Sequence, residues 1–368
     1  MNYEQIETFL YSLWEDSQEG APPPTFFITG PPGIGKSTVA ATLAEKMGPE
    51  ALLEVIDLTS RLPEDLGGLP FRDEKRDQVR YSPQDWMQRI SKPGARGVLV
   101  LDDLPAASPS LSAASRQLAL SRSINGVVLS PGIVVIVTGN RQKDRAGAVT
   151  LPSHFRNAVC TIEMEPQFKG WVDWFHSVGG NPLIPRYLMW KVDHFSMHPD
   201  DADTKGSFAT PRSWALLSRC MGSAERTQVL PEITSGFVGE GVSISFQTFM
   251  ERNNELPPIV ELLRNPQGVL PKPEEVLNTA DRMIGAVTGL GQMAALQWKA
   301  DNDPVHQMNL LLSLHWVTKH NKEYVASGLD AYQVTGGSAH LLGKVSEHLR
   351  TQSPDIDEML SEMKQDLA

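Results

Sequence analysis

Five short apolar runs punctuate the first half of the chain, at residues 26–29, 52–57, 98–102, 133–138 and 159–162. Their apolar residues fall on consecutive positions, and tens of residues with helical periodicity separate them. Strands written this way are buried on both faces, so residues 21–166 predict a parallel sheet covered by helices. Ahead of it, Ile6, Phe9, Leu10, Leu13 and Trp14 fall at the spacing of one helix face. They predict an amphipathic helix within residues 1–20, closed by Ala21-Pro22-Pro23-Pro24.

Past residue 166 the strand signals fade. Aromatic-rich helical patterns follow at 171–178, 185–194 and 211–220, broken by Gly179-Gly180-Asn181-Pro182 and by a polar loop at 197–206. Residues 167–222 therefore read as a small helical domain. The remainder, 223–368, reads as a Gly-rich loop at 234–241 and helical patterns at 244–253, 258–264, 273–289 and 305–328. It ends in a polar tail, 345–368, in which Val345, Leu349, Ile356, Met359, Leu360, Met363 and Leu367 recur at loosely helical spacing.

Composition narrows the function classes. With 40% hydrophobic and 21% charged residues among 368, the chain is expected to be globular. Two cysteines, Cys160 and Cys220, without a His/Cys cluster argue against a disulfide framework or zinc finger and fit a reducing compartment. The longest apolar runs fall well short of the ~20 residues of a spanning helix. The first twenty residues carry acids and no base, the wrong charge for a targeting peptide, so a cytoplasmic location is expected. A net charge of −11 disfavours indiscriminate adhesion to nucleic acid.

The chemistry lies at strand ends. Gly30-Pro31-Pro32-Gly33-Ile34-Gly35-Lys36-Ser37-Thr38 matches G-x-x-x-x-G-K-[ST] and stands between an apolar strand and a helical pattern. Glycines there let successive N–H groups face a phosphate, Lys36 reaches the terminal phosphates, and Ser37 can ligate Mg²⁺. The run 97–101 ends in Asp102 and Asp103, which places two acids at the carboxyl end of a buried strand, where α/β sheets bind ligands. Asp102 suits a metal ligand and Asp103 a general base, although a strand followed by Asp-Asp is also an ordinary solvated strand end. The run 133–137 leads to Thr138-Gly139-Asn140, where Asn140 can sense a γ-phosphate or simply form a turn. Arg156 and Arg212 follow, suited to neutralising charge on a transferring phosphoryl group.

This ordered set resembles the AAA+ ATPases, and more closely their MoxR-like branch, over roughly residues 20–222. Two insertions contribute. Residues 122–129 form a hairpin by their Asn125-Gly126 turn just before the Asn140 strand, and residues 65–81 look like the hairpin such proteins insert after their second strand. The resemblance implies a P-loop NTPase sheet flanked by helices (an AAA+ core), a helical lid and a mainly helical C-terminal extension. It also implies a homo-oligomeric ring, usually hexameric, with ATP and Mg²⁺ held between subunits. By that likeness residues 30–38 bind nucleotide, Ser37 and Asp102 serve the metal, Asp103 is the base, Asn140 is sensor 1, Arg156 is the arginine finger acting in trans, and Arg212 is sensor 2. Arg141 and Arg145 compete with Arg156 for the intersubunit role.

One departure stands out. The family usually has Glu where this chain has Asp103, one methylene shorter, which puts fast hydrolysis in doubt. As for what the motor acts on, residues 71–96 hold seven basic and four acidic side chains. That density is low for tracking phosphates, so a protein client, by resemblance one with a von Willebrand factor A domain, is favoured over a nucleic-acid strand. The alternatives are a DNA-remodelling or helicase-loader-type ATPase, and a nucleotide-gated assembly scaffold with slow turnover.

Overall fold

The structure, a computed structural model, describes residues 1–17, 21–74, 77–141, 151–198, 206–254, 256–303, 305–318 and 323–338. The expectations placed on Lys75, Arg76, Arg145 and the tail 345–368 lie outside the described residues. The chain divides into two compact units, Met1–Gln167 and a second beginning at Phe168.

In the first unit, β1 (Phe26–Thr29), β2 (Leu52–Asp57), β5 (Arg96–Asp102), β8 (Gly132–Gly139) and β9 (Cys160–Glu163) form a five-stranded sheet in the order β2-β5-β8-β1-β9, parallel throughout. Alternate side chains leave the sheet on opposite faces. Val98, Val100, Val134 and Ile136 join one core with Phe26, Ile28, Val39 and Leu43, while Leu99, Leu101, Val135 and Val137 join another with Leu104, Leu111 and Phe155. Burying each such side chain contributes roughly 1.5–3 kcal/mol, so the paired cores explain the unbroken apolar runs of β5 and β8. The edge strand β2 differs, because Leu53 and Val55 face outward and are exposed. Gly97 lets β5 start hard against it, since a Cβ there would lie 2.0 Å from the Leu52 carbonyl oxygen.

Helix α1 (Tyr3–Asp16) starts at an Asn2–Gln5 capping box and covers one sheet face with Ile6, Leu10 and Trp14. Phe9, expected on that face, is exposed. Glu7 is buried instead, its charge answered by Lys46 at 2.5 Å from α2 (Lys36–Met47). Both expected insertions are present. After α3 (Pro63–Gly67) comes the antiparallel hairpin β3 (Leu69–Asp73) and β4 (Gln78–Ser82). Following α4 (Asp85–Ile90) and α5 (Pro109–Ser121), β6 (Ser123–Ile124) and β7 (Val127–Val128) pair around Asn125 and Gly126, both at positive φ as a tight hairpin turn requires. The Asn125 amide donates to the Gly67 carbonyl at 2.8 Å, tying this turn to the base of the first hairpin. Helix α6 (Ser153–Ala158) precedes β9.

The second unit is helical: α7 (Phe168–Ser177), α8 (Leu183–Trp190), α9 (Pro211–Arg226), α10 (Leu230–Val238), α11 (Glu240–Asn254), α12 (Ile259–Arg264), α13 (Pro266–Val269), α14 (Pro273–Val276), α15 (Ala280–Asp301), α16 (Val305–Val317) and α17 (Glu323–Val334). Phe175, Tyr187, Trp214, Phe246 and Phe249 build one core, and α12 with α15–α17 build another around Leu290, Leu310, Leu314 and Tyr332. The expected Gly-rich loop at 234–241 is not a loop. α10 and α11 run through it, and only Gly239 at φ 88° breaks them, where a Cβ would meet the Ser207 carbonyl oxygen at 2.6 Å. The pattern at 273–289 likewise divides between α14 and α15. Among the described residues no helix is long and apolar enough to cross a membrane.

Candidate functional site

The carboxyl ends of β1, β5 and β8 converge on the loop between β1 and α2. Gly33 and Gly35 have φ of 76° and 95°, a region that an L side chain rarely adopts and that lets the backbone curl. The loop's start is packed instead of free: a Cβ on Gly30 would lie 2.5 Å from the Met164 carbonyl oxygen. Helix α2 then begins with no side-chain cap on its Gly35 N-cap and no acid in its first turn. Its leading N–H groups and positive dipole end form an anion seat. Pro31, Pro32 and Ile34 are half-buried along the loop, and Thr38 is exposed, its carbonyl accepting the Tyr3 hydroxyl at 3.2 Å.

Lys36 is buried and folds over this seat, donating from Nζ to the carbonyls of Gly30 (3.1 Å) and Pro31 (2.9 Å) and to Asn140 Oδ1 (2.7 Å). Asn140 also donates from Nδ2 to Asp103 Oδ1 at 3.2 Å, so one amide bridges the ammonium and the carboxylate. Beside them Ser37 Oγ donates to Asp102 Oδ1 at 2.7 Å. The structure thus brings together Lys36, Ser37, Asp102, Asp103 and Asn140 from three separate stretches of chain.

Asp103 occupies the left-handed region, φ 56° and ψ 43°. Aspartate is several-fold enriched there over most side chains. The shorter acid therefore suits the backbone at this position. Thr138, passed over in the sequence as one more strand residue, is wholly buried and hydrogen-bonds both Asp102 Oδ1 and the Asp103 N–H. Its only signal was a hydroxyl at the end of an apolar run.

The Asp102 carboxylate and the Ser37 hydroxyl are hard-oxygen donors, and beside the anion seat they suit Mg²⁺ accompanied by phosphate oxygens. Among the described residues no cluster of three His, Cys, Asp or Glu side chains forms a separate metal centre. Of the arginines, Arg141 is engaged within its own chain, Nη1 lying 2.9 Å from Glu163 Oε1. Arg156 is exposed on α6, and Arg212 is exposed in the first turn of α9 in the second unit.

Residues 26–160 match the family model of the ATPase family associated with various cellular activities. This segment is an AAA domain. No curated protein matches the chain at a significant level. Solved structures similar to it include a presumptive ATPase from Cytophaga hutchinsonii, 13% identical with a TM-score of 0.34, covering 64% of this chain and 81% of that one. Another is a variant of Thermotoga maritima RuvB, 14% identical with a TM-score of 0.38, covering 76% and 83%. Both are distant likenesses. The AAA domain spans the phosphate loop, both strand-end acids, Asn140 and the two hairpins.

Proposed function

We propose that the chain is a ring-forming, MoxR-like ATPase that binds ATP with Mg²⁺ on residues 30–38 and uses hydrolysis to remodel a protein partner or complex. The observation that carries this reading is the single hydrogen-bonded group joining Lys36, Asn140 and Asp103 beside Ser37 and Asp102. In it, residues 21–166 are the nucleotide-binding domain and the lid begins at 167; the boundary expected at 222 falls inside α9, whose core with Phe246 and Phe249 extends the lid through α11 and leaves the rest as an extension. Lys36 and the uncapped amides of α2 take the terminal phosphates, and Ser37 and Asp102 hold the metal. Bound Mg²⁺ supplies Lewis-acid neutralisation of phosphoryl charge. Asp103 accepts a proton from the attacking water while Asn140 fixes its orientation. Arg156 completes a neighbour's site in the ring and Arg212 acts from the lid.

A protein client is favoured by the β3–β4 hairpin. Leu69, Phe71, Val79 and Tyr81 are 58%, 46%, 67% and 43% exposed, while Arg72 and Arg80 are paired with Asp77 and Asp73. Apolar side chains with neutralised arginines fit a protein surface better than a phosphate backbone. By the MoxR-like resemblance the client is one bearing a von Willebrand factor A domain.

The test is a pull-down with the Asp103→Asn protein in Mg·ATP, coupled to phosphate release by the unsubstituted chain. ATP-dependent retention of a protein and multiple turnovers are expected. Strong stimulation by single-stranded DNA with a steep salt dependence would replace the protein client by a nucleic-acid strand. ATP binding without turnover would leave a nucleotide-gated scaffold, the second reading, which the short Asp103 carboxylate favours.

A further inference from the structure

Thr138 never reaches solvent: its relative exposure is 0%, and it sits on β8 with its side chain turned toward the end of β5. A threonine hydroxyl has one proton and two lone pairs. Here the Asp103 N–H approaches Oγ1 at 3.1 Å and must be the donor, since a backbone amide cannot accept. The hydroxyl proton is therefore committed to Asp102 Oδ1. Ser37 Oγ donates to that same oxygen. Among the described residues both hydrogen bonds to this carboxylate fall on Oδ1, and none falls on Oδ2.

We propose that Thr138 is the positioning residue of the metal site: its hydroxyl fixes the Asp102 carboxylate through Oδ1, presents Oδ2 to the divalent cation, and in the same contact anchors the left-handed backbone of Asp103. The inference rests on the nucleotide site proposed above. It assigns to one buried hydroxyl the coupling between a metal-binding carboxylate and the acid next to it. Ser37 cannot replace it, because Ser37 is itself one of the groups that would hold the cation, whereas the buried Thr138 hydroxyl has only Asp102 Oδ1 to donate to. Groups that orient a metal's ligands from behind typically change affinity 10–100-fold when removed.

The experiment is a Mn²⁺ titration of the full chain with a non-hydrolysable ATP analogue, reading free Mn²⁺ by electron paramagnetic resonance. Nucleotide affinity without metal is measured in parallel by fluorescence. Thr138→Val preserves shape and removes the hydroxyl. Its Mn²⁺ affinity is expected to fall 10–100-fold with metal-free nucleotide affinity changed less than threefold, and Thr138→Ser is expected to return to within threefold of the original chain. Where Thr138→Val does not fold, as judged by circular dichroism, Thr138→Ala takes its place. Unchanged Mn²⁺ affinity in the hydroxyl-free variant, or a Thr138→Ser protein as weak as it, overturns the role of Thr138. An unsubstituted chain that binds neither nucleotide nor Mn²⁺ overturns the underlying site instead, so the two failures are distinguishable.

Discussion

At the end of the sheet Lys36 finds oxygen acceptors on Gly30, Pro31 and Asn140, and a carboxylate one amide further on. In the second unit Arg186 on α8, only 6% exposed, donates Nε to Gln292 Oε1 at 2.6 Å and meets no carboxylate among the described residues. Gln292 in turn bonds the Pro182 carbonyl and His176 Nε2 at 3.0 Å, which leaves the buried His176 Nδ1 without a partner. Burial pushes the Arg186 guanidinium down to about 10 and, with Lys299 adding repulsion, holds the His176 imidazole below its usual value despite nearby Asp173. The first arrangement keeps a cation well solvated by the chain yet open to exchange for a stronger anion. The second seals a cation among helices with a neutral amide, which is tolerable structurally and offers a ligand nothing. Buried charge is thus a guide to function only where its partners can be traded.

Substitutions sharpen the contrast. Asp103→Asn is expected to lower the rate of phosphate release by about 10²–10⁴-fold with ATP affinity nearly unchanged, in single-turnover and binding assays. Lys36→Ala is expected to weaken ATP binding by about 100-fold, read by equilibrium fluorescence, with little change in urea midpoint. In the second unit the order of effects inverts. Gln292→Leu strips the sealed Arg186 of its partner and is expected to cost about 3 kcal/mol in urea unfolding, while adding Arg186→Met restores most of it and leaves ATP binding intact. Equal loss from the double variant would show that the pair carries net stability. The smallest effect is of pH. Because the folded His176 titrates below its unfolded value near 6.5, its neutral form is favoured by folding. Its contribution is complete above that value and is lost as pH falls through it toward the folded pKa, so the urea midpoint should drop as pH falls below about 6.5, and His176→Phe should flatten that drop.

The legible parts of the molecule are those whose physics is local. The phosphate loop needs glycines and a lysine within nine residues, and each strand end is announced by an apolar run meeting a polar residue. What escaped depends on contacts distant in sequence. Thr138 acts on a carboxylate 36 positions away, and Lys36 meets Asn140 across 104. Glu7 took the place expected of Phe9 because Lys46 on a neighbouring helix neutralises it. The stretch 234–241 looked broken because it holds three glycines, yet Gly236 and Gly241 have no neighbouring heavy atom within 4 Å where a Cβ would stand and simply ride in their helices. The outward Leu53 and Val55 belong to an edge strand, which a run of apolar letters does not distinguish from a central one.

The Asn125 amide bond to Gly67 has a mechanical consequence. Two protrusions that leave the sheet at separate points are joined there, so a displacement of one is felt at the base of the other. Cutting the joint with Asn125→Ala should quicken hydrogen exchange across residues 69–82 while sparing β8. Unaltered exchange there would mean that the arms swing independently.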